Sequence, residues 1–133
     1  MAPSLHLRLL CDRLAVCRLP ANSDVPSWVA SGSFRSVSWT PHETSVVCEE
    51  AVVPTGVHCE TGWRVLAVAG PLDFGLTGVL SSIARPLADA GVSIFAVSTF
   101  DTDYVLVKEP SLAAAVRALE AAGHVVELQD LGR

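Results

Sequence analysis

The chain has 133 residues, of which half are apolar and 17% are charged, and its formal net charge is −5 at pH 7. This length suits one domain, or two small ones that share a core, and the low charged fraction argues against disorder. The sequence contains no run of Lys or Arg, which disfavours nucleic acid and anionic membranes as partners, because both require a basic face.

The expected compartment decides how the cysteines are interpreted. No segment reaches the roughly 20 apolar residues of a membrane-spanning helix, and residues 1–10 lack a signal-peptide pattern, so we expect a cytoplasmic protein. The cysteines show no Cys-x-x-Cys spacing and are expected to act as small core residues; they are Cys11, Cys17, Cys48 and Cys59. His58 beside Cys59 is only a weak metal candidate, and we expect neither a metal nor a cofactor.

The first half of the chain is predicted to be rich in strands and poor in helices. Strand-like segments lie at residues 5–10, 14–19, 34–40 and 45–49. Short polar turns at residues 11–13 and 41–43 are predicted to join the members of each pair. Residues 21–32 contain Pro, Asn, Ser and Gly, which predicts a loop with one short turn around Trp28.

The second half alternates strand-like and helical patterns. The segments are strand 63–69, helix 76–90, strands 92–98 and 104–108, helix 112–119 and strand 124–128. In both helical patterns apolar residues recur three and four positions apart, and Gly91 and Gly123 stand where helices commonly end. Pro86 conflicts with the first pattern, because it lacks a backbone donor and should bend or break the helix near Ser82.

The order of these elements specifies a fold class. The series β-α-β-β-α-β predicts an α+β, ferredoxin-like sandwich, with two helices on one face of a four-stranded antiparallel sheet. We place this domain at residues 59–133 and a smaller strand-rich unit at residues 1–58.

The two halves of the chain share an internal sequence similarity. Residues 37–49 align with residues 97–109 without a gap. Identical residues coincide at Val37/Val97, Ser38/Ser98, Val47/Val107 and Glu49/Glu109. Two explanations remain open: chance similarity between two hairpins, or a first half that is a reduced copy of the second and shares its sheet edge to edge.

The loop that precedes the first helix of the second half is one candidate binding segment. Gly70, Gly75 and Gly78 allow its backbone to approach a ligand closely. The loop leads into a helix N-terminus, where free N–H groups and the helix dipole favour a negative group.

The turn at residues 98–103 is the other candidate segment. Asp101 and Asp103 can accept hydrogen bonds from a positive group, and the hydroxyls of Ser98 and Thr99 lie beside them. A free amino acid carries both charges close together, so this loop and turn would suit its carboxylate and ammonium respectively. The alternative is that Gly-rich and Asp-rich segments simply form turns.

Enzyme chemistry has little support. The sequence lacks the G-x-S-x-G, P-loop, G-x-G-x-x-G and H-E-x-x-H motifs, and its four histidines fall in different elements. Asp101 and Asp103 form the sole candidate acid–base pair. We therefore expect a protein that is not an enzyme.

Three motifs resemble the ACT domain family, in particular its cytosolic arginine sensors with tandem ACT-like units and related short bacterial proteins. They are GPLDFGLTGVL at 70–80, IARPLADAGVSIFAVSTFDTDYVLVKE at 83–109 and, more weakly, SVSWTPHETSVVCEE at 36–50. The resemblance implies tandem units in a continuous sheet, ligand binding between units, and a proline in the first helix. It also implies a homodimer, because this chain supplies one half of the sensor's paired arrangement.

The resemblance further implies which residues contact an amino acid. In the turn they are Thr99, Phe100 and Asp103, and in the loop they are Asp73, Phe74, Gly75, Leu76, Thr77, Gly78 and Val79. The sensor has two acidic residues where this chain has Gly75 and Leu76, which favours a less cationic ligand. We therefore predict an amino-acid-binding regulatory module with a small-molecule ligand; the alternative is a ligand-free ACT-fold interaction module.

Overall fold

The computed structural model describes residues 4–73 and 77–128. The chain divides into two compact units: unit 1 comprises Met1–Cys11 and Arg64–Arg133, and unit 2 comprises Asp12–Trp63. The main elements are β1 His6–Leu19, β2 Ser36–Trp39, β3 Thr44–Glu49, β4 Cys59–Val68, α1 Val79–Asp89, β5 Ile94–Ser98, β6 Asp103–Lys108, α2 Leu112–Ala121 and β7 Val125–Leu128. The predicted α+β class is confirmed.

Strand β1 corrects one prediction. Strand β1 covers His6–Leu19 without a break, and the turn expected at residues 11–13 does not form. Leu7 and Leu9 are buried before this point, and Ala15 and Cys17 are buried after it. The alternation lapses between them, where Cys11 and Arg13 are exposed, but no Gly or Pro interrupts the segment, so the chain stays extended.

Unit 1 contains the predicted β-α-β-β-α-β series, with one addition. Its strands lie in the order β5-β6-β4-β1-β7, using residues 64–68 of β4 and 6–11 of β1. The prediction of a four-stranded antiparallel sheet was wrong in this detail, because β7 pairs in parallel with β1, from His6↔Val125 to Leu9↔Leu128. This pairing also places residues 1–11 in unit 1, whereas we had placed them with residues 12–58.

The core of unit 1 lies between one face of this sheet and both helices. Fully or nearly fully buried members come from every layer: Leu7, Leu9, Leu66, Val68, Ile83, Leu87, Val92, Val105, Val107, Ala115 and Leu119. The sheet residues among them alternate along each strand, and the two in each helix lie four positions apart. The apolar periodicity therefore positions both helices.

Pro86 lies inside α1 without ending it, contrary to the predicted break near Ser82. Because Pro86 has no N–H, the Ser82 carbonyl has no helical partner. His124, only 4% exposed, fills this gap: its Nε2 lies 2.9 Å from the Ser82 oxygen, and its Nδ1 lies 3.1 Å from the amide nitrogen of Leu5. Since the Leu5 N–H must donate, Nδ1 accepts, and Nε2 carries the proton that is donated to Ser82.

Unit 2 is built from residues 12–19 of β1, residues 59–63 of β4, and the hairpin β2–β3 that the sequence predicted. Its strand order is β2-β3-β1-β4, and the predicted turn around Trp28 is a 3-10 helix, Ser27–Val29. Cys17 and Cys48 are buried in its core. Burial, and then the neighbouring thiols, raises the pKa of Cys17 to about 12, and burial also raises the pKa of Cys48.

These two cysteines therefore act as the expected small core residues, held as thiols. Cys59 is half-buried, and Cys11 is exposed, which differs from the expectation. Among the described residues, no group of three or more His, Cys, Asp or Glu side chains could hold a metal ion. In the same residues, no helix is long and apolar enough to cross a bilayer.

Replacing the histidine that bridges Leu5 and Ser82 tests this part of the fold. His124→Ala should lower the free energy of unfolding by about 2 to 4 kcal/mol, because it leaves a buried donor and a buried acceptor without a partner. Urea denaturation would measure the loss. The matched control is His42→Ala, at an exposed histidine, which should change stability by about 0.5 kcal/mol or less. Equal stability of the two variants would contradict the assignment.

Candidate functional site

The turn at residues 98–103 joins β5 to β6. The N–H and the Oγ1 of Thr99 lie 2.9 and 3.1 Å from the carbonyl oxygen of Thr102, and both donate to it. Ser98 and Asp103 pair across the end of the hairpin, and the Ser98 hydroxyl donates to Asp103 Oδ1 at 2.6 Å. These bonds fix the backbone of the turn and the orientation of the Asp103 carboxylate.

The loop after β4 is bonded directly to this turn. The Leu72 N–H donates to the carbonyl of Asp101 at 2.7 Å, and Thr102 Oγ1 donates to the carbonyl of Val68 at 2.6 Å. Gly70 permits the approach: a Cβ at this position would lie 3.0 Å from the Asp101 oxygen and 3.1 Å from Thr102 Cβ. The loop and the turn therefore hold each other at a fixed distance.

Helix α1 begins directly beyond the loop. Gly78 occupies its N-cap position, and no side chain makes a capping hydrogen bond there. Because glycine has no side chain, the N-cap residue itself supplies no acceptor to the first N–H groups of α1. Val79, the first helical residue, is buried, which places this end of the helix against the rest of unit 1.

Loop, turn and helix start enclose a hollow of about 200 Å³, which we call the loop–turn hollow. Seven of the predicted binding residues line it: Asp73, Val79, Ser98, Thr99, Phe100, Asp101 and Asp103. Thr77 and Gly78 lie next to Val79 in the chain but are not part of the lining. Phe74, Gly75 and Leu76 fall outside the described residues.

Sequence reasoning missed two lining residues, Leu72 and Thr102. The hydroxyl of Thr102 was a visible signal, since it lies between two aspartates of the candidate turn. Leu72 had no such signal, because a single leucine in a loop looks like any packed side chain. Only the bond from its N–H to Asp101 reveals its position.

The hollow has an uneven distribution of charge. Its lining includes three carboxylates, those of Asp73, Asp101 and Asp103, and no Lys, Arg or His. The opposite polarity comes from the partial positive charge at the start of α1. The arrangement can hold an ammonium group at the turn and a single carboxylate near the helix.

Unit 2 contains a turn with the same bonds. The N–H and Oγ1 of Thr40 both donate to the carbonyl of Glu43, as those of Thr99 do to Thr102. The position after this turn is Thr44, which is fully buried and whose Oγ1 accepts the Ser23 N–H at 3.1 Å. In the ungapped alignment of residues 37–49 with residues 97–109, the two turns are offset by one residue.

Comparison with known proteins identifies the fold family. A family model described as an ACT domain matches residues 58–121, and a second model, described as an N-terminal domain, matches residues 12–56. The human cytosolic arginine sensor for mTORC1 subunit 1 is 37% identical over 59 residues, which make up 44% of this chain and 18% of that protein. Residues 58–121 of the chain belong to the ACT domain family. The chain spans only about a fifth of the length of the arginine sensors that it matches.

Solved structures extend the ACT comparison to the whole chain. A protein from Agobacterium tumefaciens is 35% identical, with a TM-score of 0.92, over 99% of this chain and 98% of its own. The ligand-free regulatory subunit of aspartate kinase from Thermus thermophilus is 15% identical, with a TM-score of 0.55, over 84% of this chain and 93% of its own. At that identity the second likeness concerns the ACT fold alone.

The close approach at Gly70 can be tested directly. Gly70→Ala should push the turn away from the loop, cost about 1 to 3 kcal/mol of stability, and move the backbone amide signals of Asp101 and Thr102 in NMR spectra. The control is Gly56→Ala in unit 2, where an added Cβ meets nothing within 4 Å and the positive φ of 95° adds only local backbone strain. This control should leave the turn signals in place. Unmoved turn signals in Gly70→Ala would show that the contact is absent in solution.

Proposed function

We propose that the chain is an amino-acid-binding regulatory module that holds a free amino acid in the loop–turn hollow. The observation that carries the proposal is the pair of bonds, Leu72 N–H to Asp101 and Thr102 Oγ1 to Val68. They join the loop after β4 to the turn, and the first residue of α1 and the carboxylates of the turn line one hollow, which would present both polarities to a zwitterion.

Each charge of the ligand has a distinct partner in this proposal. The α-carboxylate accepts hydrogen bonds from the first N–H groups of α1, where the helix dipole favours a negative group. The ammonium lies against the turn. Asp103 is its main acceptor, because Ser98 donates to Oδ1 and so orients the whole carboxylate towards the hollow.

The charges of the hollow limit which amino acid can bind. Its three carboxylates would repel the second carboxylate of aspartate or glutamate, so we exclude acidic ligands. Gly75 and Leu76 replace acidic residues of the arginine sensors, which removes favourable partners for a guanidinium. A neutral amino acid with a small or apolar side chain fits the lining best.

The proposal includes a second copy of the chain that completes the site. Phe100 is 78% exposed on the lining of the hollow, and Leu80 is 37% exposed on the first turn of α1. Large apolar side chains at the mouth of a ligand site are suited to being covered by a partner. We infer that a homodimer buries them and closes the site over the ligand.

A regulatory role, without catalysis, agrees with the names of the relatives. They include a cytosolic arginine sensor and a regulatory subunit of aspartate kinase. In both names the ACT fold accompanies sensing or regulation, and we extend this to the present chain, with a cytoplasmic location. The competing candidate is an ACT-fold interaction module with no small-molecule ligand, and the following experiment separates the two.

Thermal unfolding against a panel of the proteinogenic amino acids tests the proposal. At least one neutral amino acid should stabilise the protein, by about 2.7 kcal/mol when present at a hundredfold excess over its Kd, and aspartate and glutamate should not. Asp103→Asn should abolish this stabilisation while changing the stability of the unliganded protein by about 0.5 kcal/mol or less. The asparagine keeps an acceptor for Ser98 and loses only the charge.

Asp89→Asn provides the matched control, because Asp89 is an exposed carboxylate at the far end of α1. It should retain the full ligand effect. A panel in which no amino acid raises the melting temperature would remove the ligand from the proposal and leave the interaction module. Stabilisation that persists in Asp103→Asn would place the ligand elsewhere.

A further inference from the structure

A second hollow lies in unit 1, on the other side of the same turn. It has a volume of about 320 Å³, and Asp101 and Thr102 line both it and the loop–turn hollow. Its other lining residues belong to β1, β4, the start of the following loop, and β6. We call it the strand-face hollow.

The side chains of three neighbouring strands explain its shape. Ala67 near the end of β4, with Ala69 and Gly70 directly after the strand, provides a low apolar floor. Strand β4 lies between β1 and β6, which contribute the long side chains of Arg8 and Tyr104. Small residues on a central strand and long polar residues on its neighbours form a trough with polar walls.

Arg8 is the cation of this trough, and its charge has no partner among the described residues. It is exposed, and no hydrogen bond or ion pair involves its guanidinium. Its neighbour in the β1–β7 register is Glu127, but the Glu127 carboxylate lies 3.8 Å from His6 Nδ1 instead. The carboxylate of the adjacent strand therefore lies against His6 and not against Arg8. This leaves the Arg8 guanidinium open to a ligand.

We propose that the strand-face hollow binds a small carboxylate with a short apolar tail, held by the Arg8 guanidinium with its tail on the alanine floor. A guanidinium presents parallel N–H donors whose spacing matches the two oxygens of a carboxylate. Tyr104 lines the same hollow. The alanine methyl groups offer apolar surface to the tail but no polar partner.

The charge of the trough favours a carboxylate over a phosphate. Asp101 lines the same hollow, so a single guanidinium is opposed by one carboxylate. This balance tolerates a ligand with one negative charge and repels one with nearly two. Phosphate sites usually supply more positive charge or several backbone N–H groups.

Sodium butyrate is the probe, and NMR titration of labelled full-length protein is the measurement. At constant ionic strength, butyrate should shift the signals of Ala67, Ala69 and the Arg8 Nε–H with saturation. Arg8→Met should weaken binding about tenfold or more, as expected for loss of a charge-assisted hydrogen bond. Arg117→Met removes an exposed arginine on α2 and should leave binding unchanged.

Two further probes identify the chemistry. Butyramide, which has the same shape without the charge, should not saturate the site, and inorganic phosphate should bind more weakly than butyrate. The proposal is overturned if butyrate shifts do not saturate, if they are the same in Arg8→Met, or if butyramide binds as well. Tighter binding of phosphate would overturn the choice of ligand class.

This test is independent of the proposed amino-acid site. Loss of butyrate binding in Arg8→Met with retained amino-acid stabilisation would confirm the strand-face hollow by itself. An amino-acid effect that disappears in Asp103→Asn, in a protein that never binds butyrate, would support the loop–turn hollow and overturn only the second site.

Discussion

Two hydrogen bonds between the loop after β4 and the turn after β5 are the constraint on which both proposed binding sites of unit 1 depend. One runs from the Leu72 N–H to the Asp101 carbonyl, and the other from Thr102 Oγ1 to the Val68 carbonyl. Gly70 makes them possible, because any Cβ there would press on Asp101 and Thr102. Without these contacts the loop and the turn would move independently, and neither hollow beside the turn would keep its shape.

The position of α1 is the second requirement of the site. Its N-terminus can act on a ligand only if the helix is held against the sheet. Ile83 and Leu87 anchor it in the core, and His124 ties its Pro86 gap to Leu5 beside the start of β1. The proline that would weaken an isolated helix therefore exposes a carbonyl through which α1 is joined to the neighbouring strands.

The sequence was sufficient for the types and order of the elements from β4 to β7, because apolar periodicity and terminal glycines report local structure directly. It was insufficient where an outcome depends on pairing between distant segments. The parallel pairing of β7 with β1 and the continuity of β1 through residues 11–13 both depend on neighbours that no local pattern specifies. The same reason explains why Pro86 was misjudged: its consequence depends on His124, which is 38 residues away in the chain.

The candidate site shows the same division between local and distant information. Aspartates, hydroxyls and glycines marked the turn and the loop, and their residue types were enough to suggest the two polarities. Leu72 was missed because its contribution is a backbone bond to Asp101. Arg8 was missed because its open guanidinium depends on Glu127 pairing with His6.

The central claim is that one hollow receives both charges of an amino acid, and blocking each charge separately tests it most directly. The measurement is calorimetric titration with the most stabilising amino acid, its carboxamide and its N-acetyl derivative. The account predicts that either modification weakens binding about tenfold or more, since each removes one charge-assisted contact. If either derivative bound as tightly as the parent amino acid, the site would recognise only one of the two charges, and the central claim would be contradicted.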